Sequence, residues 1–316
     1  MAKVTSTEVV KAGQASQRAA LRNTNPQAWP HLAVIRQVDP DNVDRYRPTG
    51  SYSAQIRAHG AAIGVECSSF VVRPGDKKRA AQIVRELSER SDITGIMPLY
   101  PLDDIDEVKA HLRPKQDVDG LLGHRPAPTA RAMKLMANLC LHGADYYEDR
   151  TIEELDHLAL PEDFDRMRIF LGGLGELTCK RLRADLERQG ITIPDHRIAT
   201  LNSPDSLRRM PERALVFTAM PGAELISSED IGPDSVVIDG GFGVKGERVY
   251  GNTAGAVEHR PDVLWTPPTE GVGPGSTLYL YHHLLEASGV PLGAMGPLAS
   301  EAAARENDPA RNRIPH

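Results

Sequence analysis

Short apolar runs rich in Val, Ile and Phe recur along the chain at 31–35 (HLAVI), 65–72 (VECSSFVV), 94–99 (TGIMPL), 168–173 (RIFLGG), 196–201 (HRIATL), 214–220 (ALVFTAM) and 235–241 (SVVIDGG). Each is short enough for a strand buried on both faces. Between most of them the apolar positions change to helical spacing, as in KKRAAQIVRELSER (77–90) and ELTCKRLRADLERQG (176–190). Strands alternating with helices imply crossover connections and parallel sheets, so the pattern predicts an α/β protein.

The rhythm breaks once. Residues 128–158 carry a long helical pattern with no strand signal before RIFLGG, which predicts a division into two domains near residue 155. The expected organisation is a first domain over 1–155, a second over 156–274, and a segment over 275–316. In that last segment TLYLYHHLLEASG (277–289) forms a helix crossing back onto the first domain, leaving a cleft between the two. The tail after Gly296 has no strong apolar face and reads as a loosely held extension. Ahead of the helix, Pro267, Pro268, Gly271, Gly273, Pro274 and Gly275 crowd into one stretch. That density exceeds what a surface turn needs and suggests backbone held close to something else.

With 316 residues, 40% of them hydrophobic and 25% charged, and a net charge of -6, the chain can build two ordinary cores and has no basic excess to draw a nucleic acid. Its three cysteines (Cys67, Cys140, Cys179) are far apart and odd in number, which excludes a disulfide framework and a paired zinc site. No stretch approaches ~18 apolar residues, and the N-terminus lacks a signal-like core. The expectation is a cytoplasmic protein without membrane or metal.

FLGGLGEL (170–177) is a strand entering a helix through Gly172, Gly173 and Gly175. Such a turn exposes helix-start N–H groups that hold the diphosphate of a dinucleotide, although a ligand-free tight turn gives the same pattern. The next strand ends in Asn202 and Ser203 rather than in an acidic reader of an NAD ribose, which leaves the cofactor type open.

Several stretches together resemble the bifunctional methylenetetrahydrofolate dehydrogenase/cyclohydrolase family. They are SYSAQIRAHGAAIGV (51–65), TGIMPLYPL (94–102), KQDVDGL (115–121), VVIDGGFG (236–243) and TPPTEGVGPGS (266–276), in the family's order and at about its spacing. The resemblance implies a three-layer α/β folate-binding domain followed by a Rossmann-like dinucleotide domain, with a cleft between them. It also implies NADP or NAD as cofactor, a tetrahydrofolate derivative as substrate, and a homodimer. By resemblance, Asp119 grips the pterin, whose ring N–H and exocyclic amine suit a bidentate carboxylate. Asp117 reads as a turn or cap residue. Tyr52 stacks on the folate, with Tyr100, Pro101, Gly271 and Pro274 near it. The cofactor side comprises Gly172, Gly173, Leu174, Gly175, Asn202, Ser203, Ala219, Gly240 and Thr266.

The sequence departs from the family where the chemistry is sharpest. The family's catalytic lysine, one helical turn after the tyrosine, is Ile56 here, and its glutamine partner is Leu99. Arg57 points roughly 100° away on a helix, while Gln55 can approach the same face. The arginine of the glycine turn is Leu174, which removes the usual reader of a 2′-phosphate. Hydride transfer needs mainly alignment of carbon against nicotinamide, whereas hydrolysis must activate water and manage protons. The expectation is therefore a dehydrogenase with cyclohydrolase activity absent or very weak. Two readings stay open beside it: transfer of the methylene unit to another acceptor in a dried pocket, and folate binding without turnover. Adjacent His282 and His283 face different directions and read as surface or partly packed residues. HGADYYED (142–149) imitates a metal cluster, but its carboxylates read as solvated.

Overall fold

Alternation with period two decides which face each strand side chain covers, and the computed structural model shows this in both of its parallel sheets. It describes residues 2–292 except 77, 104, 148–149, 152–153, 161–167, 174, 176, 200–203, 246–247, 254, 256 and 268. Leu174, Asn202, Ser203, the acidic pair 148–149 and the tail from 293 onward thus lie outside the described residues.

After β1 (Ala2–Lys3) and α1 (Thr7–Arg22), the first sheet is built from β2 (His31–Gln37), β3 (Glu66–Val72) and β4 (Gly95–Leu99). These are parallel and in the order β3-β2-β4. The intervening helices are α2 (Val43–Ile63) and α3 (Arg79–Glu89), with α4 (Ile105–His111) after β4. Leu32, Val34, Met97 and Leu99 face one way, into a core with Ile56 and Ile63 of α2. Ala33, Ile35 and Ile96 face the other, into a core with Ala80, Val84 and Leu87 of α3 and Val108 of α4. Helices on both faces make this the expected three-layer domain.

The chain then runs through α5 (Pro128–His142), β5 (Arg168–Gly172), α6 (Cys179–Arg188), β6 (Ile198–Ala199), β7 (Ala214–Thr218) and β8 (Val236–Asp239). An antiparallel hairpin, β9 (Gly243–Lys245) with β10 (Arg248–Tyr250), precedes β11 (Leu264–Trp265) and α7 (Val272–Ser288). The second sheet has six parallel strands in the order β1-β11-β8-β7-β5-β6. β5, the first of its strands after β1 in chain order, has β6 on one side and β7 on the other, so the connections reverse direction there. That is the switch point at which open parallel sheets hold ligands, outside the carboxyl ends of their strands. One face is covered by helices: Ile169, Leu171, Leu215, Phe217 and Ile238 share a core with Met133 and Met136 of α5 and Leu182 of α6. On the other face, the described residues between β6 and β7 and between β7 and β8 form the 3-10 turns Pro204–Leu207 and Ser228–Asp230.

Two elements cross the division expected near residue 155. β1 pairs with β11, and α5 lies in the core of the second sheet, so both ends of the first segment complete the second domain. α7 starts at Val272, five residues earlier than the periodicity predicts, because Pro274 occupies its first turn, where a missing N–H costs nothing. This helix belongs to both cores, placing Leu278 and Tyr279 with the second sheet and Leu280, Tyr281, Leu284 and Leu285 with the first. A helix apolar on every side is a buried helix. Gly275 lets it approach α5 closely, since a Cβ there would stand 3.2 Å from Ala132 Cβ. No helix of the described residues is long and apolar enough to cross a membrane.

Candidate active site

The carboxyl ends of both sheets open onto one cavity of about 840 Å³. Its first wall comes from α2 and the end of β4: Thr49, Ser51, Tyr52, Gln55, and Met97 through Pro101. Asp119, Thr129 of α5, and Gly273 and Ser276 of α7 form the floor. The opposite wall is the glycine turn and the ends of β7 and β8, including Gly175, Thr178, Ala219, Gly240 and Phe242.

Asp119 is held by a chain of buried contacts that starts in the loop 115–121. Asp117 accepts the N–H groups of Leu121 (2.9 Å) and Leu122 (2.7 Å), which closes the turn. This is the turn role expected of it. Between the two carboxylates, the Val118 carbonyl accepts a hydrogen bond from His283 Nδ1 at 2.9 Å. His283 Nε2 in turn accepts from Arg131 Nη1 at 2.9 Å, and Arg131 Nε lies 3.1 Å from Asp156. With Nδ1 donating and Nε2 accepting, the imidazole is neutral. Burial, then the Arg131 charge, pushes its basicity down. His282 and His283 are thus core residues and not surface ones: α7 is enclosed on all sides, so adjacency on the helix did not leave either exposed. No cluster of metal-binding side chains occurs among the described residues, and the carboxylates of HGADYYED lie outside them.

Asp119 itself is only 4% exposed, and burial followed by the neighbouring Asp117 raises its carboxyl well above the usual range. Tyr52 donates or accepts a 2.7 Å bond with Ser276 Oγ, which meets Thr129 Oγ1 at 2.9 Å, so three hydroxyls form a chain beside the carboxyl. Burial, then Asp119, raises the Tyr52 hydroxyl. Neither Ser276 nor Thr129 was singled out in the sequence. Ser276 sits inside the quoted Pro/Gly motif, whereas nothing in the local pattern marks Thr129.

On the far wall, a buried network fixes the two loops that reach the cavity. Asp239 accepts from the N–H groups of Gly241, Asn252 and Thr253 and from the Thr253 hydroxyl. Asn252 accepts from Thr218 and the Met220 N–H and donates to the carbonyls of Met220 and Gly222. Every polar atom of this pair is satisfied, which makes the loops after β7 and β8 rigid. The glycine turn is tight as well. Gly173 has φ +91°, and a Cβ there would sit 3.1 Å from the Ala219 carbonyl. Only a bare backbone fits that cradle.

Of the residues singled out from sequence, Tyr52, Gln55, Leu99, Tyr100, Pro101, Asp119, Gly175, Ala219 and Gly240 line the cavity. Ile56 does not. It is 0% exposed among Leu280, Tyr281 and Leu284, one turn further along α2, where the helix runs behind the cleft against α7. Gln55 lines the cavity in its place, beside Gly273. The dry wall is therefore made by Met97, Pro98 and Leu99, not by the lysine replacement. Gly172, Gly173, Gly271, Pro274 and Thr266 also stand behind the lining. Gly271 offers its carbonyl to Ser6, and Thr266 accepts the Asp239 N–H.

Fold and site together define a two-domain α/β protein that encloses a cavity between the carboxyl ends of two parallel sheets. Among solved structures, the chain is similar to the methylenetetrahydrofolate dehydrogenase-cyclohydrolase (FolD) of Trypanosoma brucei, complexed with NADP and an inhibitor. The two share 20% identity and a TM-score of 0.70, covering 92% of this chain and 97% of that one. It also resembles the NAD-dependent methylenetetrahydrofolate dehydrogenase of Saccharomyces cerevisiae, at 13% identity and a TM-score of 0.63, over 90% and 96% of the two chains. Among curated proteins it matches the bifunctional protein FolD of Thermomicrobium roseum, 24% identical over 278 residues, 87% of this chain and 90% of the relative. Deinococcus radiodurans FolD is 27% identical over 215 residues, 65% of this chain and 66% of that protein. No protein-family model matches the chain. The resemblance carried by the motifs thus meets relatives of the same name, at identities that make this chain a divergent one.

Proposed function

We propose that the cleft takes a reduced folate and a nicotinamide dinucleotide, and that the protein oxidises methylenetetrahydrofolate with hydrolysis of the product absent or very weak. The observation that carries this reading is that Asp119 and Tyr52 line the same cavity as the glycine turn and the ends of β7 and β8. A carboxylate in a dry floor accepts the paired N–H donors of a pterin, and the aromatic wall receives its ring. The opposite wall fits a dinucleotide at the level of backbone: the cradle at Gly173 excludes a Cβ, and the turn lies at the switch point. When bound there, the nicotinamide supplies the hydride acceptor.

The chain's own contribution is alignment and dryness. Tyr52, the Asp119 floor and the rigid loops after β7 and β8 hold two ligands face to face, which is most of what hydride transfer needs. Hydrolysis needs a base for water. Among the described lining residues the titratable groups are Asp119, Tyr52 and Tyr100. Asp119 is committed to the pterin, and the Tyr52 hydroxyl is shifted upward by burial. Gln55 cannot take a proton at neutral pH. The same lining favours a second reading: with water excluded by Met97, Pro98 and Leu99, the methylene carbon survives to be passed to another nucleophile.

Formation of NADH or NADPH from methylenetetrahydrofolate, followed by absorbance, supports the dehydrogenase. Folate binding without reduction moves the choice to methylene transfer or to binding alone. Hydrolysis of methenyltetrahydrofolate at a rate comparable with oxidation overturns the cyclohydrolase part. The resemblance also implies a homodimer, which sedimentation of the purified protein tests.

A further inference from the structure

Arg36 is out of place on β2. The strand reads HLAVIRQ, and the side carrying Leu32 and Val34, both fully buried, ends two residues later in a guanidinium. Its Nε is buried without a hydrogen-bond partner, and among the described residues it has no ion pair. Its location is specific. Arg36 pairs in register with Leu99 of β4, and its Nη1 lies 3.6 Å from where a Cβ would stand on Gly50. Leu99, and the residues on either side of Gly50, Thr49 and Ser51, all line the cavity. A side chain at Gly50 would stand against the fork, between α2 and the end of β2.

The cavity lining itself contains no lysine or arginine among the described residues. An anionic group entering along the α2 wall, past Thr49 and Ser51, comes to the Gly50 backbone against which the Arg36 guanidinium lies. The dinucleotide's phosphates belong at the glycine turn, on the opposite wall. A reduced folate has its donor-rich pterin at one end and the two carboxylates of its glutamate at the other, and a carboxylate matches the guanidinium fork. Resting on the folate reading above, we infer that Arg36 receives a carboxylate of the glutamate end of the folate and so makes that end a determinant of affinity.

The test is calorimetric titration of wild type, Arg36→Met and Arg36→Lys with two stable ligands, 5-formyltetrahydrofolate and its glutamate-free analogue 5-formyltetrahydropteroate. Methionine keeps an apolar stem and, because Arg36 has no partner to orphan, the variant should melt with the wild type. Wild type is expected to prefer the folate by about tenfold, the effect of one charge-assisted pair. Arg36→Met should lose that preference through weaker folate binding alone, and Arg36→Lys, with charge but no fork, should fall between. If wild type binds both ligands equally, or if Arg36→Met weakens both by one factor, the inference is overturned and the folate site stands. If wild type binds neither, the folate reading fails and takes this assignment with it.

Discussion

Ile56 shows how far a single substitution can be read without its surroundings. Aligned on the family motif, it replaces a catalytic lysine, and restoring lysine looks like the way to restore hydrolysis. The side chain, however, is wholly buried against α7, and Tyr281 donates to its carbonyl at 2.9 Å. Ile56→Lys should therefore place an unpaired ammonium in an apolar core, costing about 3–5 kcal/mol of stability and giving no hydrolysis. Denaturant unfolding and a methenyltetrahydrofolate hydrolysis assay on the same variant check both parts. Gain of hydrolysis with unchanged stability would show that position 56 faces the cleft. Sequence spacing puts Tyr52, Gln55 and Asp119 at defined places because each belongs to a regular helix or a tight turn, and all three line one cavity. It misread His283, since nothing local reveals that α7 is enclosed. It was silent on Arg36 and Thr129, whose meaning comes from neighbours far along the chain.

Elements were the most legible scale. The apolar runs mark β2, β4, β5, β7 and β8, because strands buried on both faces leave few polar interruptions, and β3, an edge strand with only Val72 buried, is marked by its Phe-Val-Val end. The two-residue strands β1 and β11 carry too little pattern to be read, and pairing of the N-terminus with the second sheet is a long-range choice. The Pro/Gly stretch was legible as a place of close approach, but it opens α7 rather than forming a separate loop. At Gly275 it brings α7 close against Ala132 of α5. Gly275→Val should force α5 and α7 apart and cost about 1–3 kcal/mol, read as a lower midpoint of denaturation. A variant as stable as wild type would mean that the two helices do not meet there.

At the scale of the whole molecule, stability and function draw on the same buried polar groups. His59 bridges Gln17 and Thr277 and stacks on Tyr281, tying α1, α2 and α7 together, and burial lowers its basicity to about 3. A histidine that binds its proton less readily when folded contributes fully above its unfolded value of roughly 6.5, and loses that contribution as the pH falls toward about 3. His59→Asn should accordingly flatten the fall in unfolding free energy across that window by up to about 1.4 kcal/mol per pH unit. Equal slopes in the two proteins would place a charged or solvated His59 in the native state.

The account rests on Asp119 as the anchor of a reduced pterin. Calorimetric titration of 5-formyltetrahydrofolate into wild type and Asp119→Asn tests it most directly, because the amide presents a donor where the ligand presents donors. The expected result is saturable binding to wild type, weakened at least tenfold in the variant, with the wild-type affinity falling at low pH as the buried carboxyl, shifted upward, takes its proton. Equal affinities in the two proteins would contradict the folate site.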